Sequence, residues 1–245
     1  MEPMSSVTGI PRRLGLLVCD SLWEPLRSAH DDYPQMCQNM LGAVDARFSL
    51  SVWAAHEGEL PPDPACCDAW LISGSRAGVY ESRAWIAPLM NFVRRAFDLS
   101  IPQAGICFGH QLLAQALGGE TRKAVSGWGV GNLEVRISPE AGYGTWLGER
   151  LRLFMVHQDQ VLALPPRAEV VGSAAHCAHA LFRVDQRVLG IQPHPEFTRE
   201  LMQDLLQENA LHLPEPLLSQ ARASCASPVD SPRVAGLMAD FLGLR

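Results

Sequence analysis

Apolar and polar positions along the first 119 residues repeat with two alternating periods. Leu14-Gly15-Leu16-Leu17-Val18-Cys19 is a short apolar run halted by Asp20, the pattern of a buried strand entering its loop. Tyr33 to Leu41 carries apolar residues at helical spacing, whereas Phe48-Ser49-Leu50-Ser51-Val52-Trp53 alternates residue by residue and predicts a strand. Gly58 to Pro64 reads as a turn, because its prolines restrict the chain and remove backbone donors. Ala69-Trp70-Leu71-Ile72 predicts a core strand running into the small-residue loop Ser73-Gly74-Ser75. Helical spacing returns in Ala84 to Phe97, a strand is predicted from Ile101 to Ile106, and a helix from Gln111 to Leu117 stops at Gly118-Gly119. Strands alternating with helices predict an α/β fold with a mostly parallel central sheet covered by helices.

Beyond Gly131 the pattern becomes strand-like: Leu133 to Ile137, Leu151 to Val156, Glu169 to Gly172, Ala180 to Val184 and Val188 to Ile191. Asp185-Gln186-Arg187 separates the last two as a hairpin turn would, which predicts a small antiparallel portion. Helices are expected over Thr198 to Glu208 and Val234 to Leu242, and the proline-bearing stretch Leu213 to Pro232 reads as a long loop. A chain of 245 residues fits one domain, 1–245.

Composition narrows the function classes. With 20 Lys and Arg against 26 Asp and Glu, and basic doublets only, a phosphate backbone is not an expected partner. Met1-Glu2-Pro3-Met4-Ser5-Ser6 does not open a secretory signal. The uncharged stretch Leu99 to Gly119 carries His110 and three glutamines, so no membrane association is expected. Seven cysteines in no framework spacing, two of them adjacent at Cys66-Cys67, fit a reducing cytoplasm.

The candidate chemistry centres on Gly105-Ile106-Cys107-Phe108-Gly109-His110-Gln111. Glycines two before and two after a reactive residue suit a nucleophile elbow, a sharp strand-to-helix turn where a larger side chain would meet neighbouring backbone. A cysteine there faces the unpaired N–H groups of a helix start, which favour a thiolate, and the Phe108 N–H is a candidate oxyanion donor. Gln111, one turn further, faces the same way and is placed to bind substrate or hold the pocket wall. The plainer alternative is an inert buried cysteine.

A cysteine nucleophile needs an oriented imidazole. Gln192-Pro193-His194-Pro195-Glu196 supplies one: its prolines keep the chain extended, so His194 and Glu196 project to the same side. His157, in Val156-His157-Gln158-Asp159, is the competing base and also has an acid two residues on, though a pocket-shaping role is preferred for it. The second oxyanion donor is assigned to the loop after Ile72, at Gly74 or Ser75. His176-Cys177-Ala178-His179 groups three potential zinc ligands but has no matching second pair, so no metal is expected, and no cofactor motif is present.

These segments, with Ile72-Ser73-Gly74-Ser75, His157-Gln158-Asp159 and Pro193-His194-Pro195-Glu196-Phe197, resemble the class I, triad-type glutamine amidotransferases. The likeness is greatest to freestanding members related to the GMP synthase glutaminase domain and to plant γ-glutamyl peptidases. It covers residues 12–208, leaving a C-terminal loop and helix over 209–245. It implies a flavodoxin-like three-layer α/β/α sandwich, with Cys107 as nucleophile, His194 as base, Glu196 as third member, Gln111 in the glutamine pocket and Gly74 in the oxyanion loop. The implied reaction is hydrolysis of glutamine through a γ-glutamyl thioester, with ammonia passing to a separate synthetase because no synthetase-sized region is present. Two alternatives stay open: a γ-glutamyl peptidase using the same triad, and a noncatalytic subunit on the same fold. The loop Ser73-Gly74-Ser75-Arg76 departs from the family in lacking paired glycines.

Overall fold

A computed structural model describes residues 11–208 and 212–245. The chain start read for a signal, residues 1–10, and the first residues of the C-terminal segment, 209–211, lie outside these. In chain order the strands are β1 (Arg12–Leu17), β2 (Phe48–Trp53), β3 (Ala69–Ile72), β4 (Gln103–Ile106), β5 (Glu120–Lys123), β6 (Gly129–Ile137), β7 (Arg150–His157), β8 (Asp159–Ala163), β9 (Ala168–Ser173), β10 (Leu181–Val184) and β11 (Val188–Ile191). The helices are α1 (Leu26–Ala29), α2 (Tyr33–Gly42), α3 (Ile86–Asp98), α4 (Phe108–Ala116), α5 (Gly144–Leu147), α6 (Arg199–Gln207), α7 (Glu215–Ser224) and α8 (Ser231–Phe241).

Nine strands form one mixed sheet in the order β2-β1-β3-β4-β11-β10-β9-β6-β7. From β2 to β11 neighbouring strands are parallel, and from β11 outward each neighbour is antiparallel. The inner parallel strands β3, β4 and β11 are buried along their whole length because helices cover both their faces, whereas the edge strand β2 alternates and has no fully buried residue. Trp70 and Ile72 of β3 pack with Leu89, Phe92 and Val93 of α3 and with Leu112 of α4, while Leu71 joins Leu14 and Leu16 among side chains from α2, α6 and α8. The result is the expected three-layer α/β/α arrangement.

Two expectations need correction. The stretch read as one loop from Leu213 to Pro232 contains α7, whose Leu218 and Ala221 are buried and whose Ser224 accepts from the Asn132 backbone of β6. Three prolines flank or start helices there and do not interrupt one, since proline is tolerated in a first turn. The pattern also passed over β5 and β8, which pair as a separate antiparallel ribbon. The outward face of β5 is charged, with Thr121 its one buried residue, so alternation there is too brief to register.

Candidate active site

The C-terminal ends of β3, β4 and β11 lie side by side, with Ile72 paired to Gly105 and Ile191 to Ile106. Ser73, Cys107 and Gln192 therefore leave the sheet together, at the edge where open α/β sheets place their ligands. The Cys107 N–H donates to the Ile191 carbonyl at 2.8 Å, and the Gly109 N–H to the Ser73 carbonyl at 3.2 Å.

Both glycines of the elbow are required sterically. A β-carbon on Gly105 would come within 2.3 Å of the Gly109 carbonyl carbon, and one on Gly109 within 2.4 Å of the Ile72 carbonyl oxygen. Cys107 itself takes φ +50 and ψ −102, a conformation that few side chains adopt, and α4 begins at the next residue. The Phe108 side chain is fully buried against Trp85, so only its backbone can face a ligand.

His194 Nδ1 lies 2.8 Å from Glu196 Oε1, and both side chains are buried. The segment is fixed by the His194 N–H donating to the Phe154 carbonyl at 2.8 Å, and the imidazole stacks on Phe197 with centroids 4.1 Å apart. Burial works against a charged imidazole here. The Glu196 carboxylate and the Cys107 sulfur, which is within hydrogen-bonding reach, outweigh that burial and hold His194 up at about 10. The three residues singled out by the elbow and the His-Pro-Glu segment are thus adjacent in the fold.

His157 is differently placed. Its Nδ1 meets the backbone carbonyl of Asp159 at 3.1 Å, while the Asp159 carboxylate accepts from the Tyr80 hydroxyl at 3.1 Å. The acid two residues on therefore does not orient this ring as Glu196 orients His194. Burial pushes His157 down to about 3, the neighbouring His176 adds to the effect, and the Asp159 carbonyl only partly offsets it. Gln111 spends its amide N–H groups on the Asp159 carbonyl at 2.9 Å and Gln192 Oε1 at 3.0 Å, so it braces the wall and leaves its oxygen for a ligand.

Gly74 lies against His194: a β-carbon there would be 3.1 Å from the imidazole Cε1 and 3.4 Å from the Tyr33 hydroxyl. Ser75 lines the same cleft, with its Oγ accepting from the Ala77 N–H. The loop is anchored by Ser73 Oγ, which accepts from the Cys19 N–H at 2.9 Å. Of the His-Cys-Ala-His run, His176 turns toward His157 and Cys177 is buried in the core.

These groups surround a cleft of about 300 Å³. Its wall includes Trp23, Tyr33, Arg76, Tyr80, Lys123 and Trp128, which the sequence reading did not select. Arg76 is tied to Asp20 by two side-chain hydrogen bonds and lies over the Trp23 ring. The one signal for any of these was compositional: Lys123 is the single lysine among 20 Lys and Arg.

The fold and this strand-end cysteine site place the chain in the class-I glutamine amidotransferase family, whose profile matches residues 30–213, and the chain belongs to that family of enzymes. It is 31% identical over 157 residues to "Gamma-glutamyl peptidase 4" of Arabidopsis thaliana, a stretch that is 61% of this chain and 62% of the peptidase. It is 35% identical over 101 residues to a glutamine-hydrolysing GMP synthase subunit of Methanosphaera stadtmanae, covering 40% of this chain and 53% of that one. A glutamine amidotransferase structure from Thermotoga maritima superposes with a TM-score of 0.73 over 96% of this chain and 97% of its own, at 19% identity, which supports the fold.

Proposed function

We propose that Cys107, His194 and Glu196 form a catalytic triad that hydrolyses a γ-glutamyl amide, with glutamine conversion to glutamate and ammonia as the primary reading. The observation that carries it is the buried His194–Glu196 contact at 2.8 Å beside Cys107. The thiolate attacks the γ-carbonyl carbon, and the Phe108 N–H with a loop N–H from Gly74 or Ser75 receives the charge developing on oxygen. Protonated His194 gives its proton to the leaving amine, and the neutral imidazole then draws a proton from the water that cleaves the thioester. Glu196 fixes the tautomer and stabilises the imidazolium. Ammonia released in this way is available to a separate synthetase, as the relation to a GMP synthase chain suggests.

A second reading, a γ-glutamyl peptidase, is favoured by one feature of the cleft. Leu22, Trp23 and Leu205 join Phe197 in its lining, an apolar surface against which a leaving group larger than ammonia can pack. The test is a turnover panel of L-glutamine and γ-glutamyl dipeptides, with intact-protein mass spectrometry to detect a γ-glutamyl adduct. Loss of turnover and adduct in C107S is expected; intact turnover in C107S would refute the triad.

A further inference from the structure

Tyr33 opens α2, where the Asp32 carboxylate caps the helix by accepting the Tyr33 N–H at 2.9 Å and the Leu22 N–H at 3.2 Å. The side chain belongs to the buried core at 7% exposure, yet Tyr33 also lines the cleft together with Cys107 and His194. Its phenolic oxygen is not closed off inside the protein and makes no hydrogen bond to any described residue. A phenylalanine would fill the same space without a hydroxyl to satisfy, so packing accounts for the ring and not for the oxygen.

That oxygen stands beside the reacting groups. A β-carbon on Gly74 would lie 3.4 Å from the Tyr33 hydroxyl and 3.1 Å from the His194 Cε1, so phenol and imidazole both abut the one glycine of the loop Ser73-Gly74-Ser75. The other side-chain donors around this loop are engaged: Ser73 Oγ donates to the Gly74 carbonyl at 3.0 Å, and Arg76 is held by Asp20. Burial, followed by the negative charges of Glu196, Asp20 and Cys107, pushes the Tyr33 phenol well above its ordinary value. The hydroxyl therefore keeps its proton while the cysteine is a thiolate, and it is a donor throughout.

We infer that the Tyr33 hydroxyl is a further oxyanion donor, bonding the oxygen that becomes negative when the Cys107 thiolate adds to the γ-carbonyl carbon. This rests on the γ-glutamyl chemistry proposed for Cys107 and deepens it: the charge on that oxygen is met by a side chain of α2 as well as by backbone N–H groups, and no proton changes hands at Tyr33. A neutral donor bonds a charged oxygen more strongly than an amide oxygen, so it favours the tetrahedral state over the bound substrate and acts on kcat more than on KM.

The test compares full-length wild type and Y33F in two reactions of Cys107. The first is turnover of a series of γ-L-glutamyl anilides whose leaving groups differ in basicity. The second is alkylation by iodoacetamide, followed at the Cys107 peptide by mass spectrometry; it displaces iodide at a saturated carbon and forms no oxyanion. Y33F should lower kcat by roughly 10²-fold, the scale of one oxyanion donor, with a much smaller change in KM. The loss should be the same factor for every anilide, and the alkylation rate should be that of wild type. Parallel losses in turnover and alkylation would mean that the substitution displaces the nucleophile, and they overturn the assignment. A loss that grows with leaving-group basicity overturns it as well, since the donor then serves the leaving nitrogen. Unaltered kcat in Y33F overturns it and leaves the triad standing. Absence of both turnover and Cys107 acylation in wild type overturns the reading of the site and the Tyr33 assignment with it.

Discussion

Gly109 is packed so closely on Ile72 that a β-carbon at Gly109 would lie 2.4 Å from the Ile72 carbonyl oxygen. The backbone of β3 and the first turn of α4 are in direct contact, and this contact sets the depth at which Cys107 stands above the sheet. Gly109→Ala should force α4 away from β3, cost about 1–3 kcal/mol of stability and displace Cys107. Gly42, at the end of α2, meets nothing within 4 Å, so G42A should be neutral or stabilising by a few tenths of a kcal/mol. Urea denaturation of both variants, with the alkylation rate of Cys107, checks the pair; equal effects would show that the elbow tolerates displacement.

Backbone strain falls on Cys107, the proposed nucleophile. Its φ of +50 with ψ of −102 belongs to the space open to glycine, and holding a cysteine there costs about 1–3 kcal/mol. C107G is expected to raise the unfolding free energy by an amount of that order while abolishing turnover. C107S keeps the side-chain size and the strain, and should lower kcat by roughly 10³-fold or more. A C107G variant less stable than wild type in denaturant titrations would argue against strain at this residue.

Those two residues also mark what could be read from the sequence. The elbow was legible because sterics tie glycine to fixed positions around a strand-to-helix turn, and His194 and Glu196 were legible because prolines confine the chain between them. Gln111 and its option of holding the pocket wall were legible from helical spacing, but its partners Asp159 and Gln192 were not, since they come from remote segments. The same reason hid Tyr80, Trp23 and Trp128: no local spacing relates them to Cys107. Asp159 stood two residues from His157 in sequence, yet its carboxylate turns to Tyr80, a choice that only the assembled ribbon makes. Helix α7 was lost among prolines that mark its ends, where a proline count by itself suggests a loop.

The charge on His194 gives a pH-dependent signature. Its folded value, about 10, lies above the ordinary 6.5, so between these limits the folded protein holds a proton that the unfolded chain releases. The corresponding stability is fully present below pH 6.5 and is lost as pH rises through about 10. H194Q should show a flatter decline in unfolding free energy across that window than wild type. E196Q removes the carboxylate that holds the proton and should move the alkaline limb of kcat to lower pH. Parallel stability profiles for wild type and H194Q would mean that the imidazole is not held charged.

Acid should act through a different histidine. His110 is fully buried, its ring tilted against Phe182 with centroids 4.8 Å apart. Burial pushes its imidazole down to about 3 despite a contact with the Gly190 backbone. Here the folded state binds fewer protons than the unfolded chain. Stability is therefore present above pH 6.5 and is lost as pH falls from there toward about 3. His157, also held at about 3, contributes in the same window, so removing one of the two should remove one proton of linkage and not the whole slope. For H110L, an apolar replacement beside Phe182, the acid decline should be shallower than wild type by up to about 1.4 kcal/mol per pH unit. Denaturant titrations at intervals between pH 3 and pH 7 measure this difference. An H110L slope equal to wild type would place the acid sensitivity elsewhere, and an H157Q slope equal to wild type would leave His110 as its sole source of the two.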